Sequence, residues 1–311
     1  MNDLRTTLED YLIIRRSLGF KLCSAGRLLY KFVLFAEQEG ASFITRDLAL
    51  RWAIQPKNVL QSTRAERFGI LSRFARYVSS IDPRTETLPQ DLLPYRYQRR
   101  TPYIYSDNEI SLLIESAQQL PSKIGLRPYT YSTLFGLIAV TGMRISEAIH
   151  LNRENVDLTH SVITIYQTKF GKNRLVPVHP STRHVLQQYE VKRDQVFPHP
   201  KSLSFFVSDC GNRLTGSTVR WTFVKVSCWI GLRKPSKSHG HGPCLHELRH
   251  AFAVRTILNW YRAGLDVERE IPKLATYLGH AHVNDTYWYL QAVPELMQLA
   301  TMRLETIKKG G

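Results

Sequence analysis

At 311 residues, 43% of them hydrophobic, the chain is long enough for two domains and apolar enough to fold them, which excludes a disordered polyelectrolyte. Its formal charge of +16 calls for a polyanionic partner, nucleic acid first, with a merely soluble basic protein as the plainer alternative. Four scattered cysteines with no C-x-x-C pair exclude a disulfide scaffold and fit a reducing cytoplasm, while the N-terminus lacks the apolar core of a signal peptide and the longest apolar run, Leu134–Val140, is too short to cross a membrane.

Residues 4–80 carry helical periodicity. Leu8, Tyr11, Leu12 and Ile14 begin it, Leu28, Leu29, Phe32, Val33 and Phe35 continue it, and Ile70, Leu71, Phe74 and Ala75 close it. Basic residues are interleaved, among them Arg15, Arg16, Lys31, Arg64 and Arg73. On an all-helical module they suggest one face lying on phosphates, although most charged helix positions are simply solvated. The basic excess is no tail, since residues 1–100 carry a net +7 and the remainder +9. A helical domain is therefore expected over 1–88. A proline- and arginine-rich linker containing Arg99 and Arg100 follows over 89–103, and a second domain runs over 104–311 from the capping-box pattern Ser106-Asp-Asn-Glu109.

The second domain reads as mainly helical. An apolar helix breaks at Gly142, and Ile145, Ala148 and Ile149 start the next. Val162–Tyr166 and Arg174–Val178 are expected as paired strands around the turn Gly171-Lys-Asn173, with one more short strand and turn over Phe205–Val207 and Asp209–Asn212. Helical patterns resume near 216, 246, 265 and 283, and 294–307 is amphipathic.

Five segments carry residues suited to phosphate chemistry. Thr141-Gly-Met-Arg-Ile-Ser-Glu147 places Arg144 at a helix start, and a planar guanidinium donates two parallel hydrogen bonds to phosphate. Thr168-Lys-Phe-Gly-Lys-Asn-Arg-Leu-Val-Pro177 puts Lys169 and Lys172 near a hairpin tip, where an ammonium can protonate a leaving oxygen. Leu245-His-Glu-Leu-Arg-His250 sets His246 and Arg249 three apart on a helix, on nearly the same face. Leu278-Gly-His280 ends a helix beside an imidazole, and Asp285-Thr-Tyr-Trp-Tyr289 offers a tyrosine nucleophile. Each segment alone is weak, because any one tyrosine among 15 more often packs than reacts.

The order Arg, Lys, His-x-x-Arg, His, Tyr over residues 141–290 resembles the tyrosine recombinase (phage integrase) family, and the chain resembles a mobile-element member of it. The resemblance implies a mainly α fold with a small β-hairpin or sheet, in which a helical core-binding domain precedes a mixed α/β catalytic domain. It assigns Arg144, Lys169, His246, Arg249, His280 and Tyr289 to catalysis, with Glu147 behind them orienting the others. Lys172 is the substitute for Lys169, and Tyr287 is the rival of Tyr289. DNA contacts are expected at Arg15, Arg16, Lys31, Arg64, Arg73, Arg99, Arg100, Lys172 and Arg174. The implied reaction cuts and rejoins strands of double-stranded DNA through a 3′-phosphotyrosyl intermediate, with no metal, ATP or other cofactor. The implied assembly is a homotetramer on DNA, a monomer or weak oligomer when free, with an accessory protein as a further partner and 294–307 either an arm to a neighbour or a helix folded back on its own domain. The expected setting is a prokaryotic cytoplasm, at the nucleoid.

Three other readings compete. His246-Glu-Leu-Arg-His250 also fits the H-E-x-x-H zinc signature, with His239, His241 and Cys244 close by in sequence. That reading leaves the charge, Arg144 and Tyr289 without a role, and an arginine inside the motif would repel the metal. A catalytically silent DNA-binding accessory protein would not need every catalytic position filled. A relaxing enzyme that nicks and reseals one duplex would share the chemistry without exchanging partners.

Overall fold

The computed structural model describes residues 3–89, 92, 93, 95, 101–166, 173–235, 242–292 and 298. The chain divides into two compact units, Met1–Arg100 and Thr101–Gly311.

The first unit is built from α1 (Leu4–Ser17), α2 (Cys23–Gln38), α3 (Arg46–Ile54) and α4 (Gln61–Ser79). Their apolar stripes meet in one core holding Leu8, Leu12, Phe32, Trp52, Phe68, Leu71 and Phe74. Trp52 lies edge-on to Phe32, with ring centroids 5.4 Å apart. The Arg67 guanidinium sits 3.9 Å above the Trp52 ring and donates to the Trp52 carbonyl at 2.7 Å. Arg67 is thus a structural cation, unlike Arg16, Lys31 and Arg73, which are exposed. Arg15 is half-buried over the Phe20 ring, and Arg64 donates to the carbonyls of Pro56 and Lys57. Arg99 and Arg100 lie outside the described residues.

The second unit opens with α5 (Asp107–Ala117), whose capping box is formed: Ser106 Oγ accepts from Glu109 N–H, and Glu109 Oε2 accepts from Ser106 N–H at 2.8 Å. Next come α6 (Arg127–Thr141) and α7 (Ile145–His150), then the strands β1 (Val156–Asp157), β2 (Val162–Ile165) and β3 (Arg174–Pro177). The helices α8 (Pro180–Val196), α9 (Gly216–Trp229), α10 (His246–Arg262), α11 (Val267–Leu278) and α12 (Asn284–Ala292) complete the unit.

The strands form one antiparallel sheet in the order β1-β2-β3, with Val162 opposite Pro177 and Ile165 opposite Arg174. Pairing through β3 carries Arg174 to the edge of the site described below. The sequence pattern does not mark β1, which is only two residues long, nor α8, whose few apolar residues are diluted by polar ones. The strand expected over Phe205–Val207 is absent. That stretch makes only isolated bridges, Asn152 to Ser204 and Val207 to Arg213, and its two phenylalanines are buried as core side chains.

Helix α6 is buried around most of its circumference and forms the spine of the unit. It ends at Gly142, in a left-handed conformation (φ 61°) that only glycine adopts without strain. A Cβ at Gly142 would come within 2.5 Å of Phe252 Cδ1 and 3.1 Å of Leu278 Cδ2, so α10 and α11 close directly over this turn. The reversal lifts the chain out of α6 and makes Arg144 the residue that caps α7.

Gly142→Ala therefore combines a left-handed penalty with an overpacked contact. Urea unfolding of the variant should show a loss of about 2–5 kcal/mol, whereas a loss below about 1 kcal/mol would mean that this turn does not constrain the junction.

Candidate active site

Three helix ends and one strand end meet at the site. The C-terminus of α6 leads into Arg144, the first turns of α10 carry Arg249, the C-terminus of α11 leads into His280, and β3 begins with Arg174. Helix C-termini expose carbonyls and carry partial negative charge, which suits cations.

Arg249 is buried, 1% exposed, and donates to the carbonyls of Gly142 at 2.7 Å and Leu278 at 2.6 Å. It thereby ties the end of α6 to the end of α11. Burial, then the neighbouring Arg144 cation, lowers its pKa to about 10, so it stays charged at neutral pH. Arg144 donates from Nη2 to the Gly279 carbonyl at 2.9 Å and from Nη1 to Glu147 Oε1 at 2.8 Å.

Glu147 is the acceptor around which the cations gather. Besides the Arg144 side chain and backbone N–H, it accepts both ends of the Arg174 guanidinium, at 2.9 and 2.7 Å. Its side chain is 5% exposed. Burial pushes the carboxyl up, but Arg174 and Arg144 outweigh it, and the pKa falls from 4.5 to about 2. Gly279, with φ 67°, makes room: a Cβ there would meet Arg174 Nη1 at 2.9 Å and Arg144 Nη1 at 3.6 Å.

Tyr289 on α12 is 1% exposed and packs in a small cluster with Ala253, Val254, Ile257 and Leu278. Its hydroxyl lies 2.8 Å from His250 Nδ1. The rival Tyr287 is 36% exposed on another side of the same helix. The Thr286 hydroxyl sits 2.7 Å from His280 Nδ1 and fixes that ring, which stacks on Tyr289 with centroids 6.5 Å apart. His246 is exposed, and its ring meets His250 edge-on at 4.8 Å.

The structure thus gathers Arg144, Glu147, Arg249, His280 and Tyr289 in one region. His246 and Arg249, placed by their spacing on nearly one face, differ sharply in burial. Arg174, expected on DNA, has its guanidinium on Glu147. Lys169 and Lys172 lie outside the described residues, as does 294–307 apart from Gln298. In the sequence His250 belongs only to the zinc signature, and its place four residues after His246 is the sign that it shares a helix face with that histidine. Among the described residues no group of three or more His, Cys, Asp or Glu is arranged to hold a metal ion. Among them, too, no helix is long and apolar enough to cross a membrane.

The model of the phage integrase family matches residues 105–295. The integrase/recombinase y4rB of Sinorhizobium fredii is 45% identical over 309 residues, 98% of both chains. The tyrosine recombinase XerD of Neisseria meningitidis is 27% identical over 91% of this chain and 90% of its own. Among solved structures, the Tn1549 transposon integrase in complex with transposon right end DNA superposes with a TM-score of 0.66 at 13% identity, covering 99% of this chain and all of that one. The XerH site-specific recombinase bound to palindromic difH substrate gives 0.65 at 18% identity, over 89% of this chain and 78% of that one.

A carboxyl held low in the fold stabilises the protein above its unfolded pKa, and that stabilisation is lost as pH falls through the window from 4.5 to about 2. At roughly 1.4 kcal/mol per pH unit, Glu147 contributes on the order of 3 kcal/mol at neutral pH. Unfolding of wild type and Glu147→Gln at pH 7 and pH 3 should show a large gap at pH 7 that narrows at pH 3. A gap independent of pH would show that the carboxylate's charge is not what holds the arginines.

Proposed function

Because the chain belongs to the phage integrase family, we propose that it is a site-specific DNA recombinase that cuts and rejoins strands through a covalent bond between Tyr289 and a DNA 3′ phosphate. The observation that carries this reading is the clustering of Arg144 and Arg249 beside a buried, hydrogen-bonded Tyr289.

A phosphodiester under attack gathers charge on its nonbridging oxygens. Arg144 and Arg249 face that charge as preorganised donors, already oriented by helix-end carbonyls, and His280, held by Thr286, adds a third. Tyr289 Oη attacks phosphorus in line with the departing 5′ oxygen. Lys169 is the proposed donor to that oxygen, with Lys172 as its substitute. The phosphotyrosyl bond conserves the energy of the cut, so a 5′ hydroxyl from a second duplex reverses it without ATP. Glu147 and Arg174 do not meet the phosphate in this scheme. They hold Arg144 in place.

The substrate is double-stranded DNA, in keeping with the +16 charge and with DNA-bound relatives in the same fold. The exposed Arg16, Lys31 and Arg73 of the first unit are its proposed backbone contacts. The working assembly is a tetramer, as for the lambda integrase tetramer bound to a Holliday junction, with 294–307 as its intersubunit arm. An accessory protein would act by shaping the DNA between sites, and the enzyme's place of action is the nucleoid.

The test uses a pool of nicked duplexes tiled across the DNA flanking the coding sequence, supplemented with random-sequence duplexes. Wild type and Tyr287→Phe should each form an SDS-resistant adduct, and Tyr289→Phe should form none. An adduct that persists in Tyr289→Phe, or no adduct with any duplex in the pool, would overturn the assignment.

A further inference from the structure

We propose that His250, not His246, takes the phenolic proton from Tyr289 during strand cleavage. The proposal rests on Tyr289 being the nucleophile and specifies what activates it.

A phenol is a poor nucleophile near neutral pH because its ordinary pKa is about 10. Attack on phosphorus therefore calls for an acceptor within hydrogen-bond reach of Oη. His250 Nδ1 meets this requirement, at 2.8 Å from the Tyr289 hydroxyl. His250 lies on the first turns of α10, directly after the buried Arg249, so the acceptor and a phosphate-facing cation come from adjacent residues of one rigid element. The ring is held on two sides, by Trp288 with centroids 5.8 Å apart and by His246 at 4.8 Å. His246 meets the His250 ring edge-on and is itself exposed, whereas His250 Nδ1 lies at hydrogen-bond distance from Oη.

In the productive tautomer the His250 proton is on Nε2, and Nδ1 accepts from the phenol. As the Oη–P bond forms and the P–O5′ bond breaks, the phenolic proton passes to Nδ1 and gives an imidazolium. The departing 5′ oxygen takes a proton from a separate donor, for which Lys169 is the candidate. On rejoining, the imidazolium returns its proton to Oη as the P–O5′ bond re-forms, so the step is reversible without a cofactor. Histidine suits this exchange because its ordinary pKa lies near neutrality.

His250→Leu removes the acceptor and keeps the bulk, and His250→Gln keeps a polar side chain should the first variant fold poorly. Single-turnover cleavage of a duplex captured by wild type should fall by about 100-fold or more in both variants, with DNA affinity and melting temperature close to wild type. A merely structural role would not respond to the acidity of the phenol. Placing 3,5-difluorotyrosine at position 289 by amber suppression lowers the need for a base. It should recover about tenfold or more of the lost rate in the His250→Leu background and change little in the wild-type background. Cleavage in His250→Leu equal to or faster than wild type, or no recovery with the fluorinated tyrosine in a folded, DNA-binding variant, would overturn the proposal. Failure of the parent reading is separate: it shows as adduct formation by Tyr289→Phe, whatever His250 does.

Discussion

Three guanidinium groups crowd one small, largely dry volume, and the catalytic unit is organised around making that tolerable. Arg144 and Arg174 each bond the same Glu147 oxygen, at 2.8 and 2.9 Å, so those two nitrogens are at most 5.7 Å apart. Like charges that close repel by roughly 3 kcal/mol even at an effective dielectric constant of 20. Glu147 offsets this with a full negative charge, and the helix ends of α6 and α11 offset it with oriented carbonyls. The two left-handed glycines, Gly142 and Gly279, put those carbonyls where the arginines are. Losing Glu147 would leave the cations facing one another with only dipoles between them. A site so assembled carries excess positive charge with its donors fixed in advance, which is what a phosphate passing through a more highly charged state requires.

The same helix that supplies Arg249 also fixes Tyr289, the proposed nucleophile. The buried Tyr289 ring is packed among apolar residues of α10, α11 and α12, with its hydroxyl 2.8 Å from His250 Nδ1, so the position of Oη is set by core packing rather than by a surface rotamer. Tyr287, two residues away and exposed, has no such constraint. Since Tyr289 is 1% exposed, the proposed attack also requires the groups covering it to part when DNA is bound.

Much of this was readable in the residues. The glycine break before Arg144, the His-x-x-Arg spacing and the Leu-Gly-His turn are short-range signals, and local spacing encodes them directly. Apolar periodicity was enough for the helices of the first unit because each has one clear buried stripe. What was not legible depends on distant contacts. Arg174 looks like any basic residue beyond a turn until strand pairing brings it to Glu147, 27 positions away in sequence. His250 pairs with a hydroxyl 39 positions on, and nothing in the spacing of the motif distinguishes that partner from a metal. Helix α8 leaves no clear apolar periodicity because most of its surface is polar, and Phe205–Val207 reads as a strand because β-branched and aromatic residues fill buried irregular segments as readily as sheets.

The proposed chemistry seats the reacting phosphate on the arginine cluster and makes Tyr289 its attacker. The most direct measurement is a crystal structure of the protein with cleaved DNA ends and orthovanadate, which mimics a five-coordinate phosphorus. Vanadium should be bonded to Tyr289 Oη, with its equatorial oxygens within hydrogen-bond reach of Arg144 and Arg249. Vanadium bonded to any other side chain, or seated apart from those two guanidiniums, would exclude this chemistry.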